Sequence, residues 1–511
     1  MIRASVVFVA MMMSIAANQY SAAGGTSTKA AGKPPPSPAA GCAAAVFLTF
    51  ESGRLEGVDW VERHGSQVRT RTIRTQSVMI DATIDIRPDQ TSAHSSVVVR
   101  MAGGADGKPT IRDLSADSIY WSDFIVSSVE QAVARARVLN QPTVSIPGAS
   151  LYTDTHADLL VDRLDGTNWV VSVHNKRYEV LTDENGCMES AILPAYGVAI
   201  ERRSAFPADQ YRLWAPYAAP PDGAYRAVDV SIHAPQGHVL AGTLTSPLSP
   251  GAVPAALLIT GLSPHERNNG QPPWMPLRDF ADALTRAGIA VLRVDDRGVG
   301  KSSGDNASMT TFDKAEDART EVAWLRAQPG LDATQIVLVG YSEGGLIAPM
   351  VAASDKAIAA IVTLAGPGVP GPELARYQTE QIVLHDPTIA AADRDKEIAK
   401  QLAGELTPHE RSFLSIDPLD FARRVHCPAL IIQGGADLHV PVRSTERLAA
   451  AMRAAGNSAV TVRIFPGVSH SLLPDPIGLQ SGWVYLPGVL TSPSVLDETV
   501  RWITSKLHPA I

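Results

Sequence analysis

What this chain has little of narrows it first. Three cysteines among 511 residues exclude a disulfide-dense scaffold, and no Cys/His spacing of metal-ligand type appears. Positive charge does not dominate, because 44 Lys and Arg stand against 52 Asp and Glu, a net charge of −8. No basic footprint for nucleic acid follows. Nowhere does the chain reach the roughly 20 uninterrupted apolar residues that a membrane-spanning helix needs. With 45% hydrophobic and 19% charged residues, the balance is that of a folded globular chain. At roughly 100–200 residues per domain, the length predicts two or three domains.

The amino terminus carries a different signal. Arg3 precedes the mostly apolar run Ala4 to Ala17, interrupted only by Ser5 and Ser14, and small residues from Ser21 to Gly24 follow. That run is too short to span a bilayer and reads as a signal peptide over residues 1–24, which implies export to the periplasm or medium. Residues 25–43 are rich in Ala, Pro, Ser and Gly and read as a flexible lead-in. Cys42 follows Ala-Ala-Gly, a lipidation-like context, but lies far beyond the apolar run. In an exported chain, a Cys42–Cys187 disulfide with Cys427 free is the tidiest pairing; three unpaired thiols are the alternative.

From 44 to 203 the pattern is mostly strand-like. Ser77–Arg87 alternates, His94–Met101 carries Val-Val-Val, and Asp158–Asp183 reads as strands broken by turns, with one helix at Ser128–Leu139. A β-rich domain of sandwich or partial-barrel type is expected, and it carries no catalytic motif. The Pro- and Ala-rich stretch 204–226 reads as a connector. From 227 to 511 the rhythm changes. Apolar runs at Ala255–Thr260, Ile289–Val294, Ile336–Val339, Ala359–Leu364 and Ala429–Ile432 alternate with helical stretches near Pro276–Ala287, Asp313–Ala327, Gly344–Ala353 and Ser444–Ala454. Such alternation predicts a mainly parallel, doubly wound α/β sheet. Residues 366–424, too long for a plain connector, read as a lid.

The pattern G-x-S-x-G occurs twice. Gly300-Lys-Ser-Ser-Gly304 follows a loop, so Ser302 is a decoy. Gly340-Tyr-Ser342-Glu-Gly344 directly follows the strand run Gln335–Val339 and opens a helix, the context of a nucleophile elbow. A serine needs a base, and the base an orienting acid. In a fold of this kind the chain order is Ser, acid, His. Asp437 stands just past the strand Pro428–Gln433, whereas Asp417, Asp420 and Asp475 do not follow strands. His470 follows the strand Val460–Phe465; His439 is too near Asp437, and His508 lies in the terminal region. The expected triad is therefore Ser342, Asp437 and His470. Oxyanion donors are expected from the backbone N–H of Glu343 and from Leu262 or Ser263, since Pro264 has none. Nothing in this set calls for a metal or a cofactor.

Four motifs together resemble the α/β-hydrolase superfamily over roughly residues 225–511, in particular bacterial serine aminopeptidase-like and carboxylesterase-type hydrolases. They are Ser342-Glu-Gly-Gly345, Asp295-Asp-Arg-Gly-Val-Gly-Lys-Ser302, Gly434-Gly-Ala-Asp-Leu-His-Val-Pro441 and Pro466-Gly-Val-Ser-His470. Two departures stand out: Gly261-Leu-Ser-Pro264 replaces a Gly-Ser-Gly-Pro loop, and Tyr341 stands where His is common. The resemblance implies an α/β-hydrolase fold with a helical lid and acyl transfer on a small-molecule ester. An exported serine peptidase or aminopeptidase is the alternative, with Glu343 or Glu373 available to hold a substrate ammonium.

Overall fold

The computed structural model describes residues 42–507 except 52, 105–106, 123–124, 152–155, 175, 221–222, 224, 273, 387–388, 477 and 479–490. The segment read as a signal peptide, most of the lead-in, and His508 lie outside these residues. The described residues form two compact units that divide between Trp214 and Ala215.

The first unit is built on alternation. Lys176–Thr182 buries every second residue, as a strand with one covered face must. Thirteen strands between Ala45 and Arg203 join in one continuous sheet, the β-rich region expected before the α/β unit. The chain meanders outward from Ala45–Glu51 to Thr110–Asp113. It then returns from Ile119–Trp121 to Val198–Arg203, which pairs antiparallel with Ala45–Glu51. The parallel pair, Ile119–Trp121 with Thr143–Ser150, is bridged by the helix Ser127–Leu139. This helix reaches strands of both halves of the meander. Asp59, fully buried and paired with Arg74 at 2.6 Å, accepts from the Val126 N–H at 3.2 Å. Glu130 on the helix pairs with Arg63 and accepts from the Met188 N–H at 3.0 Å. Local alternation names no partner strand, which is why the joining of all thirteen strands was not readable from it.

The stretch read as a connector is divided between the units. Phe206 accepts from the Trp60 indole within the first, while Pro216 accepts from the Asn268 side chain within the second. The second unit's sheet has eight strands: β1 (Tyr225–His233), β2 (Val239–Pro247), β3 (Val253–Ile259), β4 (Ala290–Val294), β5 (Leu331–Tyr341), β6 (Ala360–Leu364), β7 (Ala429–Gly434) and β8 (Val460–Phe465). Their order is β1-β2-β4-β3-β5-β6-β7-β8, with β2 antiparallel to both its neighbours and the other pairs parallel. The antiparallel hairpin β1–β2 was not anticipated.

Both faces of the inner strands β3 to β7 are covered, which is why these strands read as apolar runs. Leu257, Leu292, Leu338 and Ile431 face one core with helices α2 (Thr311–Arg326), α3 (Gly344–Ala352) and α8 (Arg443–Ala454). Leu258, Val291, Val339 and Ile432 face the other with α1 (Pro276–Arg286) and α9 (Pro493–Leu507). Between β6 and β7 the lid adds α4 (Gly371–His385), α5 (Arg394–Leu402), α6 (Pro408–Ser415) and α7 (Pro418–Ala422). Among the described residues, no helix is long and apolar enough to cross a membrane.

Cys42 and Cys187 form a disulfide across 145 residues, and Cys427 is free. Burial pushes the Cys427 thiol up to about 11, which leaves little thiolate to react. Closing so long a loop removes about 5 kcal/mol of unfolded-chain entropy on the loop-closure account. Peptide mapping without reductant should find Cys42 joined to Cys187, with Cys427 alkylated only after unfolding. Both cysteines free in oxidised protein, or a melting temperature that dithiothreitol leaves unchanged, contradicts this.

Candidate active site

The carboxyl ends of β5, β7 and β8 present the three residues that the spacing singled out. Ser342 follows β5 at a φ of +53°, a left-handed backbone that a non-glycine residue adopts at a cost of about 1–3 kcal/mol. Its flanking glycines make the turn possible. A Cβ on Gly340 would lie 1.9 Å from the Gly344 carbonyl oxygen, and one on Gly344 would lie 2.3 Å from that of Ile259. Any side chain there would drive the start of α3 off the sheet.

Ser342 Oγ lies 3.1 Å from His470 Nε2, and His470 Nδ1 lies 2.8 Å from Asp437 Oδ2. Asp437 is buried, and its other oxygen accepts from the N–H groups of His439 at 2.8 Å and Val440 at 2.7 Å. The Gln433 amide donates to the oxygen that faces His470. Such a carboxylate is fixed in place and already solvated by the protein, so it can hold the imidazole without rearranging. The competing residues are occupied elsewhere. Asp417 caps α7, Asp420 pairs with Arg423, and buried Asp475 accepts from the Gly478 N–H.

His439 does more than the sequence suggested. Its ring lies 4.9 Å from that of His470, tilted by 31°. Burial first, and then the neighbouring His470, push its pKa down to about 4 despite Asp437. It therefore packs against the relay as a neutral ring. Tyr341 closes on His470 at 5.5 Å, and Trp274 meets Tyr341 edge-on while donating to the Ser471 carbonyl.

The loop after β3 lies against the serine. A Cβ on Gly261 would sit 3.3 Å from Ser342 Cβ. The Gly261 N–H is spent on Asn269 Oδ1 at 2.6 Å and is therefore not a free donor beside the serine; the amides of Leu262 and Ser263 come next along the chain. Ser263 stands at φ +81°. The loop is tied down by Arg267, wholly buried, which binds Asp295 through Nε at 2.8 Å and through its terminal nitrogen at 2.7 Å. The decoy Ser302 is a buried bridge that accepts from the Ala241 N–H and donates to the Asp295 carbonyl.

One expectation is corrected here. The Glu343 side chain is fully buried and accepts from His409 Nε2 at 2.7 Å and Thr311 Oγ1 at 2.6 Å, with Lys314 Nζ 3.6 Å away. Burial raises its carboxyl, but Lys314, His409 and Thr311 outweigh that and hold it below its ordinary value. Glu373 is held by Arg443 and Arg447. Glu343 is thus closed off from a substrate ammonium, while Glu373 is engaged by two arginines at the surface. His409, Thr311 and Lys314 were missed, and the available signal was Glu343 itself: a charge between apolar runs demands buried partners. Tyr377 of α4 donates to the Asp437 carbonyl, so lid helices α4 and α6 both reach the relay's immediate surroundings.

Residues 256–479, 224 of the 511, match the Alpha/beta hydrolase family, which supports assigning this region to the α/β-hydrolase superfamily. It is similar to esterase EstD of Thermotoga maritima, 25% identical over 278 residues that cover 52% of this chain and 65% of EstD. The chain thus spans about two thirds of that relative's length. An uncharacterized protein of Mycobacterium tuberculosis is 29% identical over 274 residues, 53% of this chain and 81% of its own. Among solved structures, an esterase of Pyrococcus furiosus matches with a TM-score of 0.41 at 17% identity, over 56% of this chain and 91% of that one.

The low pKa of His439 has a measurable consequence. Between the ordinary value of 6.5 and about 4, the unfolded chain binds a proton that the folded chain does not. Stability carried by this residue is thus complete above pH 6.5 and lost as pH falls toward 4. In a proton NMR titration, the His439 ring resonance, identified from its absence in His439→Gln, should stay unshifted from pH 8 to 5.5. A midpoint near 6.5 contradicts the packed neutral ring.

Proposed function

We propose that this chain is a serine hydrolase that cleaves carboxylic esters through an acyl-enzyme on Ser342. The observation that carries the reading is the line Ser342 Oγ, His470, Asp437 at 3.1 and 2.8 Å, on a strained elbow. A carboxylate only accepts hydrogen bonds, so His470 Nδ1 carries the ring proton and Nε2 offers a lone pair to the serine hydroxyl. As Oγ bonds to the ester carbon, its proton passes to Nε2 and the carbonyl π pair becomes an oxyanion. The N–H groups of Glu343 and of Leu262 or Ser263 are the donors for that charge, each worth about 10²–10³ in rate. Collapse of the tetrahedral state breaks the carbon–oxygen bond to the alcohol, which leaves with the proton from Nε2. Water, deprotonated by the same nitrogen, then attacks the acyl carbon and releases Ser342.

The similarity to an esterase, EstD, favours an ester over an amide. The burial of Glu343 beside Lys314, and the pairing of Glu373 with Arg443 and Arg447, speak against an aminopeptidase. The lid helices shape the acyl or alcohol pocket on this reading. Export is supported by the Arg3 to Gly24 pattern and by a disulfide, which persists in oxidising compartments.

Ser342→Ala should lower p-nitrophenyl acetate hydrolysis by on the order of 10⁶, and His470→Ala nearly as much. Asp437→Asn should cost about 10⁴, because the acid orients the base rather than reacting. Ser302→Ala removes two buried hydrogen bonds and lowers the melting temperature, yet each folded molecule keeps its turnover. An aminoacyl-p-nitroanilide should be a poor substrate. A Ser342→Ala protein with several per cent of wild-type turnover, or a preference for the anilide, overturns the reading.

A further inference from the structure

The buried cation beside the nucleophile has a geometry that salt-bridge formation alone does not account for. Lys314, on α2, is buried, and its ammonium donates to the Gly261 carbonyl at 2.6 Å and to Asp296 Oδ2 at 3.0 Å. The Gly261 carbonyl and the Leu262 N–H are the two ends of one peptide unit. That unit is planar and trans, so its C=O and N–H point in opposite directions. With the carbonyl turned to Lys314, the N–H is turned away from it. We propose that Lys314 is a positioning residue for the oxyanion, holding and polarising the Gly261–Leu262 peptide so that the Leu262 N–H serves as the stronger donor to the developing charge.

Three further observations fit this role. Gly261 is the loop residue that packs on Ser342, and its own N–H, which belongs to the preceding peptide unit, is pinned by Asn269, so the peptides on both sides of Gly261 are held. Asp296, which holds Lys314, also accepts from Thr260 Oγ1 at 2.6 Å and from the His265 N–H at 3.0 Å, so the cation and the loop share one anchor. Lys314 also lies 3.6 Å from the carboxylate of Glu343, whose backbone supplies the other donor. A single ammonium thus faces both halves of the oxyanion site. A hydrogen bond to a carbonyl strengthens the N–H at the far end of the same peptide, most of all away from water. Burial works against the ammonium, but Asp296 and Glu343 outweigh it and keep it charged.

The inference rests on the acyl-transfer reading and goes beyond it, because it singles out Leu262 rather than Ser263 and names what activates it. Lys314→Met removes both hydrogen bond and charge. Lys314→Gln keeps a donor for the carbonyl without the charge, and it remains a test where Met disturbs folding. The measurements are kcat and KM for p-nitrophenyl acetate, the inhibition constant of an aryl trifluoromethyl ketone, and that of acetate. The ketone's hemiketal oxygen reproduces the oxyanion; acetate does not. Full loss of an oxyanion donor costs about 10²–10³, so weakening one should lower kcat by about 10- to 100-fold in Lys314→Met. KM and acetate inhibition should stay within threefold, ketone affinity should fall by the same factor as kcat/KM, and Lys314→Gln should fall between. A merely structural lysine would leave the ketone and acetate affected alike. A folded variant with kcat within twofold of wild type, or with unchanged ketone affinity despite lost turnover, overturns the proposal. A wild-type protein that forms no ketone adduct on Ser342 overturns the acyl-transfer reading instead.

Discussion

The second unit depends on how closely the start of α3 approaches the end of β5. The Gly340 and Gly344 backbones leave no space for a side chain, and that contact forces Ser342 into a left-handed conformation. The strain, about 1–3 kcal/mol, is sustained by the surrounding sheet, whose core residues on β3, β4, β5, β6 and β7 are almost wholly buried on both faces. From that one turn follow the exposure of the hydroxyl, the direction of the Glu343 amide and the burial of the Glu343 side chain. Asp437 comes to it from the end of the buried strand β7, and His470 from the end of the edge strand β8, each on a short loop.

Buried charge is the second constraint. Arg267 with Asp295, and Lys314 with Asp296 and Glu343, stand in a region shielded from water, where an unpaired ion is costly. Each pair joins the loop after β3 to another element: Arg267 to the end of β4, Lys314 to α2. Rigidity of this loop is what preorganised donors require, since a loop free to turn would spend its stabilisation on reordering. The same carboxylate of Glu343 is bound by His409 of α6. The lid is thereby anchored one residue from the nucleophile, a direct physical route by which lid position could affect the chemistry.

Much of this was legible in the sequence because the informative residues sit at element boundaries. Ser342, Asp437 and His470 each follow an apolar strand run, and the structure brings them within hydrogen-bonding distance of one another. The doubly wound α/β sheet was readable for the same reason: strands covered on both faces leave unbroken apolar runs. What could not be read depends on pairings distant in the chain. His409 lies 66 residues from Glu343, and Lys314 lies 53 from Gly261; no local spacing links them. The single thirteen-stranded sheet rests on Ala45–Glu51 meeting Val198–Arg203, and alternation in either strand is silent about its partner. Glu343 was misjudged as a ligand for substrate because its carboxylate was considered without the cations that burial requires.

On the proposed mechanism Ser342 alone among the serines is activated as a nucleophile, and covalent capture reads this out. An alkyl fluorophosphonate transfers its phosphonyl group to a serine oxygen, expelling fluoride, only where a base removes the serine proton. Incubation of the full chain with this reagent, followed by peptide mass spectrometry, should find one phosphonylated residue, Ser342, and none in the His470→Ala variant. A label on Ser302 or on another serine, or an unlabelled Ser342 in folded wild-type protein, would contradict the account.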